Sequence, residues 1–259
     1  MRLTQPPAAE WRPEATQPGD AAGEDAAWAT YPAVSVPAPL ATTVGTSQLL
    51  PSGFTRVGRA VQVLLGLCGV MSLARIGVEL WGLALLRSAV EGNSSALDLY
   101  SELSANFGFG AAALLAITGV SWVVWQHRLA AAVPRWKLRR SPGWHVGSWV
   151  IPLANLWFPF QNMTDLHNAV TPAPDRRLPL SYPLWWGLWV GSTVTEWVGN
   201  AVLQQGQGTL ASVAQAATST AVGEALSVGS AVFAILVVGD LTRRAVQARD
   251  DAVAEAELR

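Results

Sequence analysis

The sequence predicts an all-α integral membrane protein: four transmembrane helices, one proline-broken re-entrant or interfacial segment, and a disordered N-terminal tail. Two observations carry this. Charged residues make up only 14% of the 259 positions and hydrophobic ones 51%, where a soluble domain carries about 25% charge. Arginines also gather in clusters between long apolar runs, the pattern that orients helices in a bilayer.

Taken in order, residues 1–54 are rich in Pro, Ala, Thr and acidic groups without apolar periodicity. Such a segment cannot bury enough surface to offset the entropy of ordering and is expected to be a disordered cytoplasmic tail. Its start lacks the charged and apolar pattern of a cleaved signal peptide, so insertion is expected to begin at an internal helix. A membrane domain follows over 55–245, with spans at about 60–86, 107–127, 183–203 and 221–241. Each meets the ~20 residues that a ~30 Å hydrocarbon layer demands. Residues 246–259 read as a short charged tail.

The segment 143–163 is also long enough to cross. Charge placement argues that it does not. Basic residues fall at Arg56 and Arg59, between Arg128 and Arg140, at Arg176 and Arg177, and at Arg243, Arg244 and Arg249, whereas 88–106 and 204–220 hold none. With four spans every cluster lies inside; with five, Arg176 and Arg177 and the C-terminal cluster fall outside. Pro152 and Pro159 each remove a backbone donor and clash with the preceding turn, and irregular backbone at membrane depth needs partners. Asn155 and Gln161 are expected to supply them. Ser141-Pro142 reads as an N-cap followed by proline at the first helical position.

The stretch SPGWHVGSWVIPLANLWFPFQ at 141–161 resembles the signature of a bacterial membrane family known as domain of unknown function 4328. Its core is Pro152, Asn155, Trp157, Pro159 and Gln161; Trp185 and Trp186, with Leu188 and Trp189, resemble a second recurring feature. The resemblance would cover about 58–245 and implies a multi-helix membrane domain without bringing an activity.

Ionisable residues within spans are costly and suggest function. Counted at ~1.5 Å per residue, Arg75, Glu196 and Glu224 reach a common depth in the outer third of the membrane, with Glu79 and Asn200 about a turn further out. These five are expected to form a polar cluster centred on Arg75, with Arg75 and Glu196 as its test pair. It reads either as a binding site or ion path, or as an ion pair that fixes packing. Small residues at four-residue spacing (Gly187, Gly191, Thr195 and Gly199; Gly223, Ser227 and Ala231) let backbones approach, within the chain or between two copies. Trp122, Trp125, Trp136, Trp144, Trp185, Trp186 and Trp189 read as an inner interfacial belt.

His127, His145, His167 and Asp165 match no metal-ligand spacing, Cys68 is a lone cysteine, and no catalytic or nucleotide motif is present. The sequence therefore points to a non-enzymatic, cofactor-free scaffold of the bacterial plasma membrane, with both termini cytoplasmic. Its expected partners are membrane lipids, proteins engaging the tail, and a second copy of the chain, with no nucleic acid. The alternative is a small transporter or a ligand- or lipid-sensing unit built on 143–163 and the Arg75 cluster. Topology reporters test the parity argument: a fusion near position 174 should report cytoplasm and one near 207 the opposite side. A periplasmic signal near 174 would overturn the four-span arrangement.

Overall fold

The structure, a computed structural model, describes residues 50–89, 94–172, 176–206 and 209–258, all within one compact unit, Val44–Arg259. Of the expected tail at 1–54, residues 1–49 lie outside the described residues. Helices are α1 (Phe54–Ala89), α2 (Ser94–Ala132), α3 (Pro142–Gly147), α4 (Pro152–Asn155), α5 (Phe158–Val170), α6 (Ser181–Gln205) and α7 (Leu210–Glu257), with a short 3-10 turn at Arg135–Lys137. No strand occurs among the described residues.

Three helices are long and apolar enough to cross a membrane: Phe54–Leu86, Asp98–Ala132 and Leu210–Glu257. The 25-residue α6 is not one of them, because tryptophans, glycines, threonines, Glu196 and Asn200 dilute its apolar content. Helix α7 is the centre of the assembly, packed along both α1 and α6; α2 leans on α1 and α3, and α5 lies against α6 and α7. Between α2 and α6 there is no packing of similar extent. That gap creates the site described below.

Helix ends differ from the expected loops. Most of 88–106 and 204–220 is helical, with α2 starting at Ser94 and α7 at Leu210, and 246–257 continues α7 instead of forming a separate tail. The physical reason is that polarity marks the edge of the hydrocarbon layer, whereas a helix ends where its backbone finds a cap. Thr209 supplies one for α7, its Oγ1 accepting from the Ser212 N–H at 3.3 Å. At the start of α1, Gly53 takes φ +79°, a left-handed conformation that glycine enters without penalty. The chain then turns directly into Phe54, which is buried and stacks on Trp125 with ring centroids 6.5 Å apart.

The segment after the basic run is broken as its prolines require. Pro142 and Pro152 each open a short helix, α3 and α4, and Pro159 sits in the first turn of α5. Ser141 occupies the N-cap position of α3 in an extended conformation, but its side chain makes no capping hydrogen bond. The proline, not the serine hydroxyl, sets that boundary.

The tryptophans do not form a belt. Of the seven expected in it, Trp122, Trp125, Trp185 and Trp186 are buried within the bundle, Trp189 is partly buried, and Trp136 and Trp144 stand exposed. Trp122 is the hub, its ring centroid 5.2 Å from that of Trp185, 5.6 Å from Trp125 and 6.2 Å from Trp149. Tilted and edge-on pairs of this kind add about 0.5–1.5 kcal/mol each beyond area burial.

The small-residue ridge of α6 meets α7. A Cβ on Gly199 would lie 2.9 Å from the Ser219 Cβ, and one on Gly191 would lie 3.4 Å from Leu226 Cδ1, whereas one on Gly187 would meet nothing within 4 Å. Gly199→Leu should therefore force α6 and α7 apart and lower the detergent-solubilised melting temperature, a cost of about 1–3 kcal/mol for overpacking. Gly187→Leu, on the open side, should leave the melt unchanged. Equal effects from the two substitutions would contradict this packing.

Candidate functional site

A cavity of about 860 Å³ occupies the space between α1, α2, α6 and α7. Drug-sized ligands occupy pockets of about 300–1,000 Å³. Its walls are mostly apolar, from Leu65 and Met71 on α1 and Ala111, Leu115 and Val123 on α2, with Ser192, Ser227 and Ser230 from α6 and α7 among its polar points. Trp122, Trp149, Trp185 and Trp189 line one end; Arg75, Glu196 and Glu224 are the charged residues lining it. Positions 185, 189, 192 and 196 lie on one face of α6 by helical spacing, which explains how one helix contributes both ends.

Arg75 Nη1 donates to Glu224 Oε1 at 2.6 Å, joining α1 to α7. Both side chains are largely removed from solvent, at 20% and 5% exposure, and Arg75 Nε is buried without a partner. Glu196 is the third member of the group but pairs with neither. A Cβ on Gly223 would lie 3.4 Å from its Cγ, which puts the side chain beside the residue preceding Glu224. It makes no hydrogen bond or ion pair among the described residues.

The other two members of the expected cluster lie elsewhere. Glu79 is buried between α1 and α2, where Tyr100 donates its hydroxyl to Oε2 at 2.7 Å and Ser104 donates to Oε1 at 3.0 Å. Asn200 is exposed. The depth count aligned the residues along the membrane normal but carried no information about which face of each helix they occupy.

The tryptophan end is held by the broken segment. Trp149 follows α3 and points its Nε1–H at Gln126 Oε1, 3.0 Å away on α2. The Gln126 amide in turn faces His145 Nδ1 at 3.4 Å. The indole of Trp149 also meets the rings of Trp122, Trp186 and Trp189 edge-on, with centroids 5.8–6.3 Å apart.

Beneath it, Arg140 Nη2 donates to Gln161 Oε1 at 2.6 Å and its guanidinium lies 3.8 Å over the Phe158 ring. Asn162 Nδ2 donates to Ser148 Oγ at 3.0 Å. Arg139 reaches Asp165 at 2.9 Å, and Lys137 Nζ donates to the Ala169 carbonyl at 3.1 Å. The basic run thus fastens α5 and the broken segment together. Further along, Asp240 accepts from Arg244 Nε at 2.9 Å and from the Tyr182 hydroxyl at 3.1 Å, with His167 Nδ1 3.6 Å away, beyond good hydrogen-bond length.

The residues carrying the family resemblance separate into distinct roles. Pro152 and Pro159 start helices, Gln161 takes the Arg140 contact, and Trp157 is 61% exposed. Asn155 was expected to satisfy freed backbone groups; instead its side-chain Oδ1 is buried without a partner. Sequence reading passed over Gln126, Ser148 and Asn162, whose only signal was an amide or hydroxyl inside apolar text.

Burial, reinforced by Arg140 and by His127 and Arg135, pushes the His145 imidazole down to about 4, so at neutral pH it is an uncharged hydrogen-bond partner. Burial also raises the Asp165 carboxyl despite the opposing Arg139.

This is a helical bundle whose long apolar helices line a half-open cavity with a charged end and an aromatic end. Residues 89–243 match the family described as Domain of unknown function (DUF4328), and the chain belongs to that family. The match begins at the last residue of α1 and so is shorter than the expected 58–245. No curated protein and no solved structure matches the chain.

Because Arg75 pairs with Glu224, the informative double variant joins these two. Arg75→Leu alone should cost about 3–5 kcal/mol by leaving a buried carboxylate unpaired, and Arg75→Leu with Glu224→Leu should recover most of the lost monodisperse protein. Arg75→Leu with Glu196→Leu should recover less; the reverse order would refute the pairing.

Acid should also weaken the Trp149 support. The folded His145 value lies below the free imidazole value of about 6.5, so its contribution is complete above that pH and is lost as pH falls toward 4. His145→Gln should melt lower than wild type at pH 7.5 yet lose less between pH 6.5 and 4.5, as read by thermal denaturation.

Proposed function

We propose that the chain is a binding module of a bacterial plasma membrane, in which α1, α2, α6 and the membrane-depth part of α7 form four spans and α3 to α5 lie at the cytoplasmic face without crossing. What it binds enters the cavity between α2 and α6. The observation that carries this reading is the cavity itself. A scaffold that only presents surfaces to partners gains nothing from an unfilled interior, and voids cost stability. Here three ionisable groups and four tryptophans also converge on the void, which is the usual composition of a ligand site: apolar walls with a few placed polar groups. The arginine clusters support the orientation, and the proline breaks support a segment that stays on one side.

The chain carries its own reporter. Cys68 is the single cysteine, lines the cavity, and lies 3.3 Å from Thr118 Oγ1. In native membranes a small neutral methanethiosulfonate should modify Cys68 in the folded protein. Gly119→Trp should slow that reaction at least tenfold, because a side chain at Gly119 projects into open space in the cavity. A thiol that reacts only after denaturation would refute an accessible binding cavity.

A further inference from the structure

We infer that the ligand is a lipophilic organic monocation: an apolar body bearing one amine, quaternary ammonium or phosphonium charge. This rests on the cavity being a binding site and assigns its chemistry. The charged lining consists of one guanidinium and two carboxylates. Arg75 pairs with Glu224 at 2.6 Å, whereas Glu196 makes no direct ion pair among the described residues and feels Arg75 only at longer range, beside the like charge of Glu224. With both carboxylates ionised, the cavity carries one excess negative charge in mostly apolar surroundings, where an opposite charge is worth more than in water.

The other end is independently suited to the same ligand. Trp149 and Trp189 are partly exposed and lie edge-on with centroids 5.8 Å apart, backed by the buried and mutually packed Trp122 and Trp185. Aromatic walls that attract cations within ~6 Å of a ring are the general solution for quaternary ammonium recognition. Among the described residues, the cations found over rings are Lys137 on Trp136 and Arg140 on Phe158, so the four cavity tryptophans face no cation of the protein's own. Trp189 and Glu196 are two turns apart on α6, roughly 10 Å by helical rise, a span that one medium-sized hydrophobic cation can bridge.

An anionic ligand would meet Glu196 and compete with Glu224 for Arg75. A zwitterionic lipid would place its phosphate beside the same carboxylates. The gap between α2 and α6 admits an apolar solute from the side, and the volume of about 860 Å³ accommodates one.

Tetraphenylphosphonium and tetraphenylborate, near-identical in shape and opposite in charge, separate the alternatives in purified full-length protein. Saturable binding of radiolabelled tetraphenylphosphonium is expected, with protection of Cys68 from the thiol reagent and at least tenfold weaker binding of tetraphenylborate. Glu196→Gln, which breaks no contact, should weaken phosphonium binding at least tenfold while its elution profile and melting temperature match wild type. Trp189→Leu should weaken it severalfold.

Equal or tighter binding of the borate, or unchanged phosphonium affinity in Glu196→Gln, would overturn the cation assignment and leave the cavity reading standing. So would competition by dihexanoyl phosphatidylglycerol at equal concentration, which carries a phosphate and no ammonium and would move the site to anionic lipid headgroups. A reactive Cys68 that neither ion protects would likewise overturn the assignment. A Cys68 that never reacts in folded protein would remove the cavity reading itself.

Discussion

The spacing of α2 and α6 is set at one end by packed indoles: Trp122 of α2 lies against Trp185 of α6, and Trp149 lies beside both helices. Trp149 emerges from the turn after α3, is tied to α2 through Gln126, and sets its ring against Trp186 and Trp189 of α6. Two helices with apolar inner faces would otherwise close on each other, since dispersion rewards contact. A rigid bicyclic ring wedged at one end sets a minimum distance there, and the helices enclose space beyond it. The proline breaks, the Arg140 contact to Gln161 and the Asn162 contact to Ser148 all serve to place this ring. The broken segment is thus a spacer, and its irregular backbone follows from that task.

The opposite end is organised by charge. In an apolar setting, the Arg75–Glu224 pair is weak evidence of net stability, because desolvation offsets much of its attraction. Its effect is selective: it fixes the register of α1 on α7 and neutralises two of three charges. The third charge, the carboxylate of Glu196, makes no ion pair among the described residues. A fully paired cluster would be inert. The small residues around it, Gly191, Ser192, Gly223 and Ser227, keep α6 and α7 close enough for Glu196 and Glu224 to share one wall.

Much of this was legible in the sequence, and the omissions have identifiable causes. Low charge density and long apolar runs announced the helices, and Pro152 and Pro159 announced the break. Counting residues along each span brought Arg75, Glu196 and Glu224 to one level, because rise per residue is nearly constant. Azimuth was not available: Glu79, one turn from Arg75 on the same helix, takes Tyr100 and Ser104 as partners, Asn200 is exposed, and Glu224, not Glu196, hydrogen-bonds the guanidinium. The tryptophans misled because amphipathic rings are common at interfaces, and nothing local distinguishes a ring facing lipid from one facing Trp122. The cavity was invisible for a related reason. It is defined by helices that meet at one end and stay apart along the rest of their length, and sequence patterns record only the faces that must be covered.

Helix α7 runs unbroken for 48 residues, roughly 72 Å at the standard rise, more than twice the thickness of a hydrocarbon layer. It carries Glu224 at the cavity and Asp240 in its contacts with Tyr182 and Arg244, about four turns away, and contains no proline to bend it. Both stations are therefore mounted on one axle. A rotation or slide of this helix as a rigid body would displace both stations together.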